Sequence, residues 1–284
     1  MKKKPLFIFI SFLLLTSVVL ASSITKETET VEMNGAKRVV LKGELGAGEF
    51  NIISKNTSDA FKADISYSPK DFTYEVSSET KSDKCMIDLN CETRKNHDFD
   101  TDDNKWDMVL SDKYPYEINL DIGACESNFD FGNTPLDELI LDIGAADAEI
   151  LFSERNSVRC KEINIDAGAS SLSMSAIGNA NFESFSLNGG AGSFDLDFLG
   201  EYEGTSYIDI DVGLGSADIV LPKDVAIQII TDGDNWFSSV DIHNNRLDEV
   251  DDDTYESEDF EDAKDKIILK ISVGMGSVDI RFRR

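Results

Sequence analysis

Apolar and polar residues alternate along most of this chain, and a glycine interrupts the alternation at regular intervals. Between Ile118 and Ile122, for example, an apolar residue occupies every second position. Strict two-residue alternation predicts β-strands that bury one face and expose the other. The same phrase recurs seven times, each time around one glycine: Gly46, Gly123, Gly144, Gly168, Gly190, Gly213 and Gly274.

The spacing of these anchor glycines predicts the architecture. The five central ones are separated by 21, 24, 22 and 23 residues. A fixed period of this size is typical of repeat folds, in which each unit buries its apolar face on its neighbours. Glycine at the bend lets the backbones of successive units approach closely. We therefore expect an all-β fold, a β-solenoid of stacked rungs of about 22 residues. The apolar residues three positions before the glycine should then touch in sequence order: Leu141, Ile165, Leu187 and Ile210.

Two interruptions of the period predict the domain organisation. The first separates Gly46 from Gly123 and contains several strand-like runs, which predict an N-terminal antiparallel β-meander over residues 22–115. This meander would cap the open end of a β-solenoid formed by residues 116–284. The second interruption contains an acidic insertion, residues 243–266, whose segment 248–262 we expect to be a mobile, solvated loop.

The first 21 residues predict a secretory signal peptide. Three lysines precede an uncharged run over residues 6–21, which is shorter than the ~20 residues that a membrane span needs. Cleavage of this segment and its retention as an N-terminal anchor are the two alternatives. We expect an exported protein, periplasmic, cell-surface or extracellular, with no membrane span in the mature chain.

The charge of the chain narrows the choice of partners. It carries 27 basic and 55 acidic side chains, a formal net charge of −28, which becomes −31 without the three lysines of residues 1–21. Phosphate backbones repel such a chain, so nucleic acid is not an expected partner. A protein or glycan of the cell envelope is expected instead.

The candidate reactive groups do not assemble a catalytic motif. Export permits disulfides, but the pairing of Cys85, Cys91, Cys125 and Cys160 stays open, and Cys85 can join Cys91 only if the chain turns between them. The chain has two histidines and no P-loop, nucleophile elbow or zinc-type histidine pair. We therefore expect no enzymatic activity and no cofactor. Trp106 and Trp236 are expected in the core near the ends of the stack.

Carboxylates recur two residues before the anchor glycines. If the rungs stack in register, this column forms a ladder, and two interpretations of it compete. Each carboxylate could accept hydrogen bonds from its own glycine turn, or several could bind Ca²⁺ through oxygen ligands. The Ca²⁺ candidates are Asp121, Asp142, Asp166 and Asp211. A second polar column, five residues after the glycine, is expected to be a solvated face.

Several phrases resemble a bacterial family. Residues 104–110, Asn-Lys-Trp-Asp-Met-Val-Leu, and residues 115–124, Pro-Tyr-Glu-Ile-Asn-Leu-Asp-Ile-Gly-Ala, resemble toastrack domains and the C-terminal domain of LiaF-like proteins, the cell-wall-active antibiotic response group. Residues 189–198, 213–222 and 273–280 fit the same pattern. The resemblance implies a β-solenoid in the cell envelope without a known active site, with a link to the envelope stress response.

The predicted function is therefore that of an exported, non-enzymatic β-solenoid that acts as an envelope or surface interaction module. Its rigid ladders would present regularly spaced side chains to a partner. Two alternatives remain at this point. One is a Ca²⁺-dependent adhesin, and the other is a β-helix enzyme that processes polysaccharides, which would need a carboxylate pair in a cleft.

Overall fold

The computed structural model describes residues 24–94, 101–232, 238–243 and 246–284. The expected signal peptide, residues 1–21, lies outside the described residues, and so does Trp236. The helical elements within the described ranges are two short 3-10 turns, Thr101–Asp103 and Ile177–Ala180. The strands, in chain order, are β1 (Thr25–Glu32), β2 (Arg38–Lys55), β3 (Asp59–Tyr67), β4 (Phe72–Lys81), β5 (Lys84–Thr93), β6 (Asn104–Ser111), β7 (Tyr116–Asp130), β8 (Leu136–Ile143), β9 (Asp147–Leu151), β10 (Cys160–Ser175), β11 (Phe182–Asp197), β12 (Thr205–Pro222), β13 (Ala226–Thr231), β14 (Ser238–His243), β15 (Leu247–Asp251), β16 (Thr254–Ser257) and β17 (Lys266–Arg283).

The central rungs stack in parallel and in chain order. β7 pairs with β8 and β9, these pair with β10, and β10, β11 and β12 follow one another. Leu141 lies opposite Ile165, Ile165 opposite Leu187, and Leu187 opposite Ile210. All four side chains are at most 1% exposed. The predicted β-solenoid with a dry interior is therefore confirmed.

The anchor glycines permit the close contact between rungs at the bend. A Cβ added to Gly213 would lie 2.6 Å from the carbonyl oxygen of Gly190, in the rung below. A second close contact lies two residues after the anchor: Gly276, which follows Gly274, has a φ of +140°, and a Cβ there would lie 1.7 Å from the carbonyl oxygen of Gly215. A side chain cannot be accommodated at such distances, so glycine is required at Gly213 and Gly276.

The first and last repeats enter the stack out of sequence order. β2, which carries Gly46, pairs in parallel with β7 on one side and with β5 and β6 on the other. β17, which carries Gly274, pairs in parallel with β12 on one side and with β13 and β14 on the other. The parallel stack therefore includes β2, β5 and β6, which precede residue 116, where the sequence suggested that the β-solenoid begins.

Antiparallel strands cover the end of the stack that β5 and β6 form. β4 pairs with β5, β3 pairs with β6, and β1 lies outside β3. Trp106, in β6, is fully buried at this end, with its ring centroid 6.1 Å from that of Phe50 and 5.5 Å from that of Tyr74. These strands occupy backbone groups that a bare terminal rung would leave unpaired.

A hairpin covers part of the opposite end, which β13 and β14 form. β15 and β16 pair antiparallel, and β16 pairs antiparallel with β13. The N–H of Ile227 donates a hydrogen bond of 3.0 Å to Oγ of Ser257, which is buried. The segment 248–262, which the sequence predicted to be a mobile, solvated loop, therefore contains most of a β-hairpin, although residues 248–253 are exposed as expected. Ser257 and Phe260 of this acidic segment are buried.

Candidate functional site

Polar and acidic side chains line one outer face of the stack, two residues before the anchor glycines. Adjacent members of this column lie directly opposite one another from β2 to β17. The flanking residues, such as Leu141 and Ile143 on either side of Asp142, are buried, so the alternation places the column outside. We call the column the acidic ladder: Glu44, Asp121, Asp142, Asp166, Asn188, Asp211 and Ser272.

The four aspartates of the ladder are all exposed, and each belongs to a different strand. Neighbouring strands are ~4.8 Å apart. At that spacing two unit charges repel by about 1 kcal/mol in water and by about four times as much at an effective dielectric of 20. Exposure to solvent therefore lets the ladder exist without a bound cation.

The predicted hydrogen bonds between these carboxylates and their own glycine turns are absent. Within the described part of the chain, none of the four aspartate side chains accepts a hydrogen bond. Backbone groups at the bend pair between rungs instead: the N–H of Gly144 donates to the carbonyl of Ile122 at 2.8 Å, and that of Ala169 donates to Gly144 at 3.0 Å. The carboxylates consequently keep their lone pairs available to solvent or to a partner.

The same geometry bears on the Ca²⁺ candidates. Among the residues that the structure describes, no group of three or more His, Cys, Asp or Glu side chains is placed to hold a metal ion. The four aspartates are arranged one per rung, so an ion at the ladder would have to bridge carboxylates of neighbouring strands. Ca²⁺ binding at these residues therefore stays an untested alternative.

The ladder forms the floor of a concave surface near the end of the stack where β4 covers β5. A cleft of about 480 Å³ lies where β4 and β5 meet the ladder. A second hollow continues along the ladder past Asp166 and Asn188. Lysine at position 42 is the one cationic side chain in the cleft lining, which comprises Lys42, Gly43, Glu44, Glu75, Ser77, Asp88, Leu89, Asn90, Asn119, Asp121 and Asp142.

A second polar column runs along the other arm of the rungs, five residues after the glycine. Near its end in β17 it acquires cationic neighbours. The Arg281 guanidinium lies 2.9 Å from a carboxylate oxygen of Asp218, and Nε2 of His243 lies 2.5 Å from Oδ1 of Asp279. The hydrogen bond with His243, followed by the charge of Arg281, lowers the pKa of Asp279. The repeat members of this column are Asn51, Asn128, Glu149, Ser173, Asp195, Asp218 and Asp279.

The structure extends this second column by two residues that the sequence analysis missed. Asp107 of β6 lies opposite Asn51, and Asp241 of β14 lies opposite Asp279. A signal for β14 was present, because residues 239–242, Ser-Val-Asp-Ile, repeat residues 277–280. The column therefore reaches from one terminal rung of the stack to the other.

The cysteines offer neither a disulfide nor a reactive thiolate. β5 runs without a turn through Cys85 and Cys91, so these two residues cannot pair with each other, and all four thiols are free. Burial raises the pKa of Cys91 to about 11 and that of Cys160 to about 12. A thiol with such a pKa is almost entirely protonated at neutral pH and is a poor nucleophile.

The described residues also lack a histidine-based catalytic pair. His97 lies outside the described residues. The ring of His243 is exposed and contacts the carboxylate of Asp279, and no described serine or cysteine shares that contact. A histidine that could activate a serine hydroxyl or a cysteine thiol is therefore absent from the described part of the chain. A separate finding concerns membranes: among the residues that the structure describes, no helix is long and apolar enough to cross one.

The fold and its surfaces define a class of protein: a β-solenoid of bent parallel strands that presents two polar columns at fixed spacing. The model of the N-terminal domain of toast_rack, DUF2154, matches residues 20–175, more than half of the chain, and the chain therefore belongs to the toast-rack family. This match confirms the resemblance drawn from the sequence. No curated protein is significantly similar to the chain.

Solved structures of low similarity also align with the chain. One, from Clostridium sporogenes ATCC 15579 and provisionally assigned to cell adhesion, is 22% identical with a TM-score of 0.49, over 92% of this chain and 100% of that one. A provisionally assigned adhesin from Bacteroides fragilis NCTC 9343 is 8% identical with a TM-score of 0.34, over 92% and 98%. Another, from Parabacteroides merdae ATCC 43184, is 10% identical with a TM-score of 0.35, over 91% and 96%. Similarity at this level assigns no function to the chain.

Proposed function

We propose that the mature chain is an exported, non-enzymatic interaction module of the cell envelope, which binds a protein or glycan partner through the acidic ladder. The observation that carries this proposal is the register of the ladder, whose exposed carboxylates stand one per rung on consecutive paired strands. Export rests on the features of residues 1–21. We further propose that the module takes part in the envelope stress response, and this part of the proposal is supported by the resemblance to LiaF-like proteins.

The physical advantage of such a surface is preorganisation. Each ladder strand from β2 to β17 pairs with neighbours on both sides, so the backbone positions are fixed before a partner arrives. Binding then costs little additional ordering of the protein. The net charge of −31 that remains without residues 1–21 also favours encounter with cationic groups and raises the association rate at low salt. A partner with ammonium or guanidinium groups at matching intervals fits the ladder best.

The test compares two variants of equal charge. The ladder variant carries Asn at the four ladder aspartates. The control variant removes four exposed carboxylates of the acidic insertion by amide substitution, at Asp248, Glu249, Glu258 and Glu261. Binding of each labelled protein to isolated envelopes of the organism that encodes the chain is titrated, before and after protease treatment of the envelopes.

We expect saturable binding by the wild type and the control, and binding at least about tenfold weaker by the ladder variant, since several charge-assisted contacts are lost together. Loss of binding after protease treatment would identify a protein partner, and persistence would identify a glycan. Equal binding by the two variants would contradict the role of the ladder. Release of reducing sugar ends, abolished by substitution of one carboxylate pair, would contradict the non-enzymatic assignment.

A further inference from the structure

One terminal strand of the stack has a free edge. β14 pairs with β17, and no other described strand pairs with it. Each terminal rung consists of two strands, one on each side of the bend. The other three of these strands are covered: β5 by β4, β6 by β3, and β13 by β16. All three covering strands run antiparallel to the strand that they cover. Within the described ranges, β14 thus lacks the cover that its three equivalents have, and its outer N–H and C=O groups are available for pairing.

The core beneath this edge is incompletely closed. Val278 and Ile280 of β17 are fully buried. Val240 and Ile242, directly opposite them on β14, are only half-buried although they pack against the same core. An additional strand alongside β14 would cover these two side chains if it carried apolar residues at its inward positions.

The outward side of the edge is acidic. Asp241 is exposed and continues the second polar column, in which three more carboxylates precede it on consecutive strands: Asp195, Asp218 and Asp279. Arg281 and His243 contact Asp218 and Asp279. No described cationic side chain lies within ion-pair distance of Asp241. An added strand would therefore place its outward residue beside an uncompensated carboxylate, where Lys or Arg is favoured.

Other edge strands of the molecule carry more charge, which protects them against strand addition. β1 has four charged side chains in eight residues, β4 has three in ten and β15 has three in five. β14, Ser-Ser-Val-Asp-Ile-His, has Asp241 as its one carboxylate and contains no lysine or proline. Charged side chains and proline are the usual devices that prevent edge-to-edge pairing. β14 is accordingly the least protected of these edges.

We propose that β14 is a strand-addition site, which accepts an extended segment of another protein, antiparallel, with apolar residues inward and Lys or Arg outward. The occupant is not a second copy of β14, because antiparallel self-pairing with the apolar sides matched would place Asp241 beside Asp241, Ser239 or His243. None of these is Lys or Arg, and the ring of His243 already contacts Asp279. This site is separate from the acidic ladder. The proposal therefore stands or falls independently of the function assigned to that face.

The experiment uses the mature full-length chain and a short fluorescent peptide in which Val alternates with Lys. A second peptide has Glu in place of Lys. Binding is measured by fluorescence anisotropy for the wild type and for two variants with the same charge change, Asp241→Lys and Asp195→Lys. Asp195 belongs to the same column but to β11, three strands from β14. That is ~14 Å away, beyond the screening length of ~8 Å at physiological salt.

We expect the lysine peptide to bind the wild type, the glutamate peptide to bind at least about tenfold more weakly, and Asp241→Lys to weaken lysine-peptide binding by about tenfold. Asp195→Lys should change it by no more than about twofold. Hydrogen exchange should show amides of residues 238–243 that become protected only when the peptide is present.

Several results would overturn the proposal. Equal weakening by the two variants would mean non-specific attraction to the acidic surface, and no binding at millimolar peptide would mean that the edge is closed. Full protection of residues 238–243 in the free monomer would show that the chain itself covers β14. A dimer in analytical ultracentrifugation, dissociated by Asp241→Lys, would show that a second copy occupies the edge.

Discussion

The substitution Ile165→Asp tests the inward face of the stack. Ile165 is fully buried in the middle of the array, with Leu141 opposite it on one side and Leu187 on the other. Truncating such a side chain to Ala costs about 2–5 kcal/mol, and an unpaired buried carboxylate adds several kcal/mol more. The sum approaches the ~5–15 kcal/mol that stabilises a whole domain. We therefore expect the variant to be unfolded, or destabilised by more than about 5 kcal/mol.

The matched control for this prediction is Asn164→Asp, which introduces the same charge one residue earlier. Asn164 is only partly exposed but alternates to the outer side of the strand, so its substitution should change the free energy of unfolding by no more than about 1 kcal/mol. Urea unfolding followed by far-ultraviolet circular dichroism measures both variants against the wild type. A normal midpoint for Ile165→Asp, or an equal loss in both variants, would refute the assignment of inward and outward faces.

Three further predictions concern the bend, the ladder and the last strand. Gly213→Ala should lower the urea midpoint more than Gly144→Ala, because the added Cβ would lie 2.6 Å from a backbone oxygen at Gly213 but 3.2 Å at Gly144; equal midpoints would contradict this. Millimolar Ca²⁺ should shift the melting midpoint no more than NaCl of equal ionic strength, and a larger rise, lost when the ladder aspartates are changed to Asn, would support the Ca²⁺-dependent adhesin. Deleting residues 266–284 should abolish cooperative unfolding, since both neighbours of β17 lose their partner; a cooperative transition in the truncated chain would contradict the inserted position of β17.

The individual rungs could be predicted because the signals that define a rung lie within a short stretch of sequence. Alternation decides which side of a strand is buried, and the glycine decides where the strand bends, so the column that contains Ile165 could be aligned without a structure. The order of the central rungs could be predicted as well, but the positions of the first and last repeats in the stack could not. β2 and β17 carry the same alternation as the central rungs, and a pattern that every rung shares does not specify which rung lies next to which.

The candidate site could likewise be predicted only in part from the sequence. The acidic ladder follows from the column alignment, and its exposure follows from the alternation. Hydrogen bonds from the glycine turns to these carboxylates, one of the two interpretations drawn from the sequence, are absent, because the backbone groups at the bend pair between rungs, as Gly144 does with Ile122. The hairpin of β15 and β16 was missed because its acidic composition is typical of solvated loops. Two buried residues, Ser257 and Phe260, are too few to give a periodic signal.

The insertion of both chain-terminal repeats has a consequence for how the molecule holds together. A solenoid whose first and last rungs lie at its ends can fray from either end, one rung at a time. Here β2 and β17 each lie one rung inside the stack, between strands that come from the interior of the sequence. Removing either one separates a terminal rung from the rest and breaks parallel pairing on two sides. Each terminal rung is therefore attached to the central rungs through β2 or β17, which are the first and last repeats of the sequence. The stability of the terminal rungs, and of the polar columns that cross them, therefore depends on contacts between strands that are distant in sequence.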